Sequence, residues 1–455
     1  MTHTSRRQIL RAASAAIATA QFPILGANDR IALGVVGLGG RGTDHLNYYA
    51  DYPNDCRLAA VCDVSQTARE RAVALVQKRV NYRPSEFSDM RALFDSKEID
   101  AVTLPLPNHW HALATIWACQ AGKDVYVEKP ASHNLFEAVQ MVAAARKYQR
   151  MVQVGSQGRS ITHKQRAMQL LREGMIGQVY HARGLCYRRR FSIGHAPDAP
   201  PPAGLDWDRF LGPAQMKPYS RNKYAYNWHW FWDTGNGDIG NQGVHEMDIC
   251  LWGTQQGGWP LSVTSTGGKY IWKDDQQTPN TQHAVFDFGE AQLSFDVRNL
   301  PTPPEGLLPM KRRSFIGNIF YGDLGFLVID PDGFQVYQST LKTLSPEQAA
   351  MPDTQRGEKY EKILDEKAVE GDEEATKPHM KNFLDGVRSR DYRKLNADIA
   401  IGARAASFCH LANISQRLGR TLRVSRSTGR FLDSEEANAL YSRDYREPYV
   451  VPTVV

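Results

Sequence analysis

Ile31-Ala32-Leu33-Gly34-Val35-Val36 runs straight into Gly37-Leu38-Gly39-Gly40-Arg41-Gly42, and the reading of that junction decides the fold. An apolar, partly β-branched run closed by glycines reads as a buried strand entering a turn, and Thr43 to Asp51 then suits a helix. Gly37 permits the tight turn, Gly39 leaves the backbone bare where a pyrophosphate approaches, and Gly42 lets the helix pack on the strand. Gly40 and Arg41 complete the loop at the helix N-terminus, where main-chain N–H groups face an anion. A second strand, Arg57 to Cys62, ends in Asp63, about twenty residues past the last glycine, where a carboxylate accepts the hydroxyls of an adenosine ribose. Strand, spacing and acid together predict a dinucleotide site, whereas a plain glycine-rich turn explains the glycines but not the acid. Asp63 also repels a 2′-phosphate, which favours NAD, while Ser65 nearby leaves room for NADP.

Outward from this unit the alternation continues. Ala101 to Leu104 reads as a strand that breaks at Pro105-Leu106-Pro107-Asn108, a helix follows from His111 to Gln120, and Asp124 to Val127 forms another strand ahead of Glu128-Lys129-Pro130. Strands alternating with helices predict a parallel sheet with crossover helices. Pro130 stops the last strand and leaves Lys129 at the carboxyl edge of the sheet, where open α/β sheets bind ligands. Further on, Tyr224 to Asp233 is unusually aromatic. Trp228 and Trp230 are candidates for stacking on sugar rings, with a packed core cluster as the plainer reading for most of the run. A glycine-rich stretch, Gly235 to Gly243, leads through His245 and Asp248 into a helix that continues through Leu251. Tyr187 and Arg188, in Cys186-Tyr187-Arg188-Arg189-Arg190-Phe191 after a strand from Val179 to Leu185, read either as substrate contacts or as part of a solvated charge run.

Taken together, the glycine motif, Leu106-Pro107-Asn108-His109-Trp110-His111 and Glu128-Lys129-Pro130 resemble the Gfo/Idh/MocA oxidoreductases, over most of the chain. The resemblance implies an α/β protein: an N-terminal Rossmann domain with a doubly wound parallel sheet, then an α/β domain whose large, open, mainly antiparallel sheet walls the substrate site and often joins copies into a homo-oligomer. The expected divisions are a segment over 1–28, the dinucleotide domain over 29–154 and the substrate domain over 155–455. The resemblance also places Pro107, Asn108, His111, Glu128 and Lys129 near the cofactor. It makes Lys129 and His245 the catalytic pair, on a carbohydrate alcohol. The family commonly has an aspartate four residues before the histidine; here that position is Asn241, with Asp238 or Asp248 as substitutes. A histidine titrates near neutrality, whereas a lysine needs burial or a neighbouring cation to act as a base, so His245 is assigned as proton acceptor and Lys129 as the group that polarises the substrate oxygen. The reverse assignment stays open.

The 455 residues, 42% hydrophobic, suffice for more than one domain. The net charge of +6 is spread along the chain without a basic run or interleaved aromatic repeat, which argues against nucleic acid as a partner. Ser5-Arg6-Arg7-Gln8-Ile9-Leu10 followed by the small apolar stretch Ala12 to Ala20 reads as a twin-arginine signal, hence export to the periplasm or beyond; a basic N-terminal tail is the alternative. That stretch is too short for a permanent membrane span. Six cysteines without paired spacing read as buried thiols, with one disulfide open after export, and no metal site is expected at His109 and His111, which lack a third ligand at suitable spacing. Leu261 to Trp272, His283 to Phe288 and Ala291 to Val297 are expected strands, Pro301 to Pro309 a loop, and the charged stretch from Asp353 to Thr376 exposed and partly irregular. His379 to Arg388 and Ala397 to Leu418 carry helical periodicity. Three functions are compatible with these residues: an NAD-dependent dehydrogenase acting on a sugar, inositol or sugar derivative; a redox-assisted glycosidase or lyase that keeps its nucleotide through each cycle, which an exported setting suits; and a nucleotide- or sugar-binding protein without chemistry, suggested by Asn241.

Overall fold

A computed structural model describes residues 30–303, 314–369 and 375–455; the expected signal segment and most of the expected loop from Pro301 to Pro309 lie outside the described residues. The first sheet contains β1 (Ile31–Val36), β2 (Cys56–Cys62), β3 (Ser85–Phe87), β4 (Ala101–Leu104), β5 (Asp124–Val127) and β6 (Val152–Val154). Every pairing in it is parallel, in the order β3-β2-β1-β4-β5-β6. Helices α1 (Gly40–Ala50), α2 (Gln66–Val80), α3 (Met90–Asp95), α4 (Asn108–Gln120) and α5 (Leu135–Lys147) connect its strands. β1 and β4 are buried along their whole length, as strands covered on both faces must be. Helix α4 begins at Asn108, three residues before the expected start, because Pro107 stands just before its first turn, where a missing N–H costs nothing.

After α6 (Thr162–Arg172), β7 (Val179–Arg188) becomes the centre of a nine-stranded sheet with β8 (Ser262–Gly268), β9 (Thr281–Asp287), β10 (Gln292–Arg298), β11 (Ser314–Gly322), β12 (Gly325–Asp330), β13 (Gly333–Ser339), β14 (Tyr360–Lys367) and β15 (Leu422–Arg423). Its order is β14-β13-β12-β11-β7-β10-β9-β8-β15, antiparallel except where β10 runs parallel to β7. One face is covered by α9 (Gly243–Thr254), which follows α7 (Trp207–Leu211) and α8 (Gly237–Asn241), and by α12 (Ile399–Leu418), which follows α10 (Pro346–Ala349) and α11 (Thr376–Ser389). Phe286, Phe295, Phe320 and Phe408 fill the space between.

The stretch from Asp353 to Thr376 is expected to be exposed and partly irregular; its described residues are mostly exposed, and Tyr360–Lys367 is ordered as strand β14. Its side chains are mostly exposed, and its order comes from the main-chain ladder with β13. Charged residues on an edge strand discourage further pairing, so polarity here marks an edge. All six cysteines are buried and free. Among the described residues no helix is long and apolar enough to cross a membrane, and no cluster of three His, Cys, Asp or Glu side chains is placed to hold a metal.

Candidate active site

A cavity of about 1010 Å³ lies along the carboxyl edge of the parallel sheet, walled on its other side by the second domain. At one end is the glycine turn. Gly37 sits at φ +96°, and a Cβ on it would come 2.8 Å from the Pro105 carbonyl oxygen; one on Gly42 would come 1.9 Å from the Gly37 oxygen. A Cβ on Gly39 or Gly40 would meet nothing within 4 Å, because both face the open cavity beside the N-terminus of α1. This bare backbone fits a pyrophosphate. Asp63, at the end of β2, accepts from the Leu38 and Ser65 main-chain N–H groups at 2.6 and 2.8 Å and lines the same space. Burial raises its pKa against those two bonds.

Glu128 and Lys129 leave the end of β5 together. The Glu128 carboxylate is 4% exposed and accepts from Arg41 Nε at 2.8 Å and His45 Nε2 at 3.1 Å, with the other His45 nitrogen 2.6 Å from the Thr103 hydroxyl. Burial works against its ionisation, but Arg41, His45 and Lys129 outweigh burial and hold the carboxyl well below its ordinary value. Glu128 thus anchors Arg41, beside Gly40, to the floor of the cavity. Lys129 Nζ donates to the Asn241 carbonyl oxygen at 3.0 Å and to its side-chain oxygen at 3.3 Å. Burial lowers its pKa, against the pull of Glu128.

The second domain brings the rest. His245 lies in the first turn of α9 and lines the cavity; burial, then the Lys129 charge, hold its imidazole well below its ordinary pKa, so the ring is neutral. The Asn241 amide donates to the Tyr226 hydroxyl at 3.3 Å and to Asp238 at 3.4 Å. Asp238 is 1% exposed and is gripped by Arg190 through two bonds of 2.8 and 3.2 Å, while Asn299 also donates to it. Arg190 donates in addition to the Tyr226 hydroxyl at 2.9 Å. Of the two carboxylates considered as substitutes for the missing aspartate, Asp238 therefore stands behind Asn241. Asp248 does not, because it is locked to Arg159 at 2.7 and 2.8 Å and does not line the cavity.

Gly37, Gly39, Gly40, Arg41, Asp63, Pro107, Glu128, Lys129, Arg188, Trp228, Asn241 and His245 all line this one space. Several expected residues do not. Asn108 is 1% exposed and donates to Asn236, and both ring nitrogens of His111 are taken by the Leu106 and Pro130 carbonyls. Tyr187 alternates with Arg188 along β7 and so faces the opposite side of the sheet, packed with Ile319 and Val328. Trp230 is 3% exposed in the core, which bears out the packing reading for that residue. Gly42 stands behind the turn and does not line the cavity. Phe210 and Gln157 were missed from the sequence, while Arg190, Tyr224 and Tyr226 lay in stretches singled out there without being assigned individually. The three arginines at the end of β7 were a visible signal, but only the fold shows which of them meets a buried carboxylate.

Family models match both halves: an oxidoreductase-family NAD-binding Rossmann fold over residues 31–156, and an oxidoreductase-family C-terminal alpha/beta domain over 184–265 and 362–451. The chain belongs to the Gfo/Idh/MocA oxidoreductases. Its first domain is an NAD-binding Rossmann domain. Among curated relatives, a glycosyl hydrolase family 109 protein of Shewanella putrefaciens is 29% identical over 160 residues, 34% of each chain. An alpha-N-acetylgalactosaminidase of Shewanella oneidensis is 27% identical over 158 residues, 33% of this chain and 34% of that one. The Gfo/Idh/MocA chain described here thus spans about a third of the length of these relatives. Among solved structures, the WlbA dehydrogenase of Bordetella pertussis in complex with NADH and UDP-GlcNAcA superposes with a TM-score of 0.61 at 17% identity, over 87% of this chain and 99% of that one. Levoglucosan dehydrogenase in complex with NADH and levoglucosan gives 0.60 at 16% identity, with the same coverage. These likenesses establish the shared fold.

Proposed function

We propose that this protein transfers hydride between a secondary alcohol of a sugar, inositol or sugar derivative and NAD. One observation carries the reading: the cavity that bares Gly39, Gly40 and Asp63 also holds Lys129 and His245. Bound NAD supplies the hydride acceptor. Gly39, Gly40 and the first turn of α1 receive its pyrophosphate and Asp63 its adenosine ribose, and that carboxylate favours NAD over NADP. Neutral His245 takes the proton of the alcohol, and Lys129, held by Asn241, donates a hydrogen bond to the same oxygen. Tyr226 and Trp228 complete the wall, the latter offering a ring face to a sugar.

The curated relatives favour a second reading, a redox-assisted glycosidase in which the same residues remove and return protons with no net change in the nucleotide. A panel of free sugars and aryl glycosides separates the two. Reduction of the nucleotide by a free sugar, whether it stays bound or is released, supports the dehydrogenase, and glycoside cleavage without net reduction supports the glycosidase. Nucleotide binding with neither activity sinks both and leaves the binding protein that Asn241 suggested, although Asn241 here still holds the lysine. Export rests on Arg6-Arg7 and the small-residue stretch after them; a double Arg→Lys change is expected to keep the protein in the cytoplasm. Association of copies through the open face of the nine-stranded sheet, around Tyr180, Arg183, Arg298 and Tyr321, is checked by light scattering, and a monomeric mass at working concentration ends that idea.

A further inference from the structure

The segment from Gly204 to Trp228 leaves the second domain, crosses the nucleotide cleft and is bonded to both of its banks. On one bank it meets the turn that carries Asp63: Gln66 N donates to the Gly204 oxygen at 2.9 Å, Asp206 N donates to the Val64 oxygen at 3.1 Å, and Leu205 forms a β-bridge with Ser65. On the other bank it meets the start of α4. There Trp110 Nε1 donates to the Arg209 and Phe210 oxygens, both at 3.0 Å, and His109 Nε2 lies 2.9 Å from the Phe210 oxygen. The approach is close enough that a Cβ on Gly212 would come 2.0 Å from the Trp110 ring.

These banks are the ends of β2 and β4, on either side of β1 in the sheet, so the segment passes over the half of the cleft that belongs to the adenosine. Arg209, Phe210 and Tyr224 line the same cavity as Asp63, Ser65 and Arg71, and the Tyr224 hydroxyl is hydrogen-bonded to the Ser65 side chain. The Phe210 and Tyr224 rings meet edge to face at 5.0 Å, over a stack of Trp207 on Phe210. The chain's C-terminal stretch then clamps the segment from outside. Arg446 donates to Asp208 Oδ1 at 2.6 Å, to the Asp208 carbonyl at 2.7 Å and to the Gly212 and Ala214 carbonyls at 3.1 and 3.2 Å. Arg446 does not line the cavity.

We infer that this strap forms the roof of an adenosine subsite and makes the dinucleotide a resident group rather than an exchanging cosubstrate. The inference rests on the NAD-binding reading of the first domain. Release of the adenosine half requires the strap to part from at least one bank, and the clamp from Arg446 opposes that motion without touching the ligand.

The test is a chase of NADH-loaded full-length protein with excess NAD⁺, followed by NADH fluorescence, for wild type, Arg446→Ala and Tyr224→Ala. Wild type is expected to hold NADH through desalting, and each variant to release it at least tenfold faster, about 1.4 kcal/mol of barrier. Release from wild type as fast as from either variant overturns the strap. No NADH binding by folded wild type overturns the NAD reading itself, a different result. Hydrogen exchange on wild type keeps the inference testable if a variant fails to fold: the Gln66 and Asp206 amides are expected to exchange more slowly with NADH bound, and unchanged exchange there overturns it.

Discussion

Replacing Asn241 by aspartate restores the residue that the family commonly carries, and the structure argues that it destabilises this chain. The Asn241 side chain accepts from Lys129 at 3.3 Å and donates to Asp238 at 3.4 Å. A carboxylate can do the first but not the second. At an effective dielectric of about 20, the new charge gains ~5 kcal/mol from Lys129 and loses ~5 kcal/mol to Asp238. The two terms cancel because the distances match. What remains is the loss of the amide as a donor to the buried Asp238 and to Tyr226, roughly 1–3 kcal/mol, near the lower end because Arg190 and Asn299 still serve Asp238. With an unfolding entropy of about 2.1 cal/mol/K per residue, a chain of this length shifts by ~1 °C per kcal/mol, so Asn241→Asp is expected to lower Tm by about 1–3 °C. Calorimetry at neutral pH resolves that. A Tm equal to or above that of wild type would refute the idea that an amide is required between Lys129 and Asp238.

Four further outcomes follow from the same structure. Lys129→Met and His245→Asn are each expected to cut turnover about 10²–10⁴-fold on any substrate the panel finds. Because burial holds His245 neutral, wild-type kcat/KM should stay level through the ordinary histidine pKa of about 6.5, and a fall toward acid there would show that burial does not hold the ring neutral. Glu246, 5% exposed with Oε2 unpartnered, has its carboxyl pushed up to about 8 by burial, against the attraction of Lys164. The folded state therefore keeps a proton that the unfolded state loses above about 4.5, so Glu246 costs stability increasingly between those two values, and Glu246→Gln should gain Tm over wild type as pH rises through that window. A pH-independent difference contradicts this. Gly39→Ala, whose Cβ enters open cavity, should leave Tm unchanged and weaken NADH binding, whereas Gly42→Ala, 1.9 Å from the Gly37 oxygen, should lower Tm; fluorescence titration beside thermal unfolding tells them apart.

The sequence by itself determined the nucleotide half, because its signals are local. Glycines at 37, 39 and 42, an acid at 63 and a lysine at a strand end each act through their own few residues of backbone, and a short window displays them. It also reached His245 and Asn241 through the family resemblance. What the tertiary structure alone decided was facing. Arg188 and Tyr187 are neighbours in the chain but lie on opposite sides of β7, and one reaches the cavity while the other packs behind it. Asn108 and His111 start the right helix, yet their polar atoms are spent on Asn236 and on main-chain carbonyls. Arg190 reads as surface charge until Asp238, distant in sequence, appears beneath it. The strap over Asp63 was equally illegible, since main-chain bonds to Val64 and Gln66 need no particular side chain and leave no composition to read.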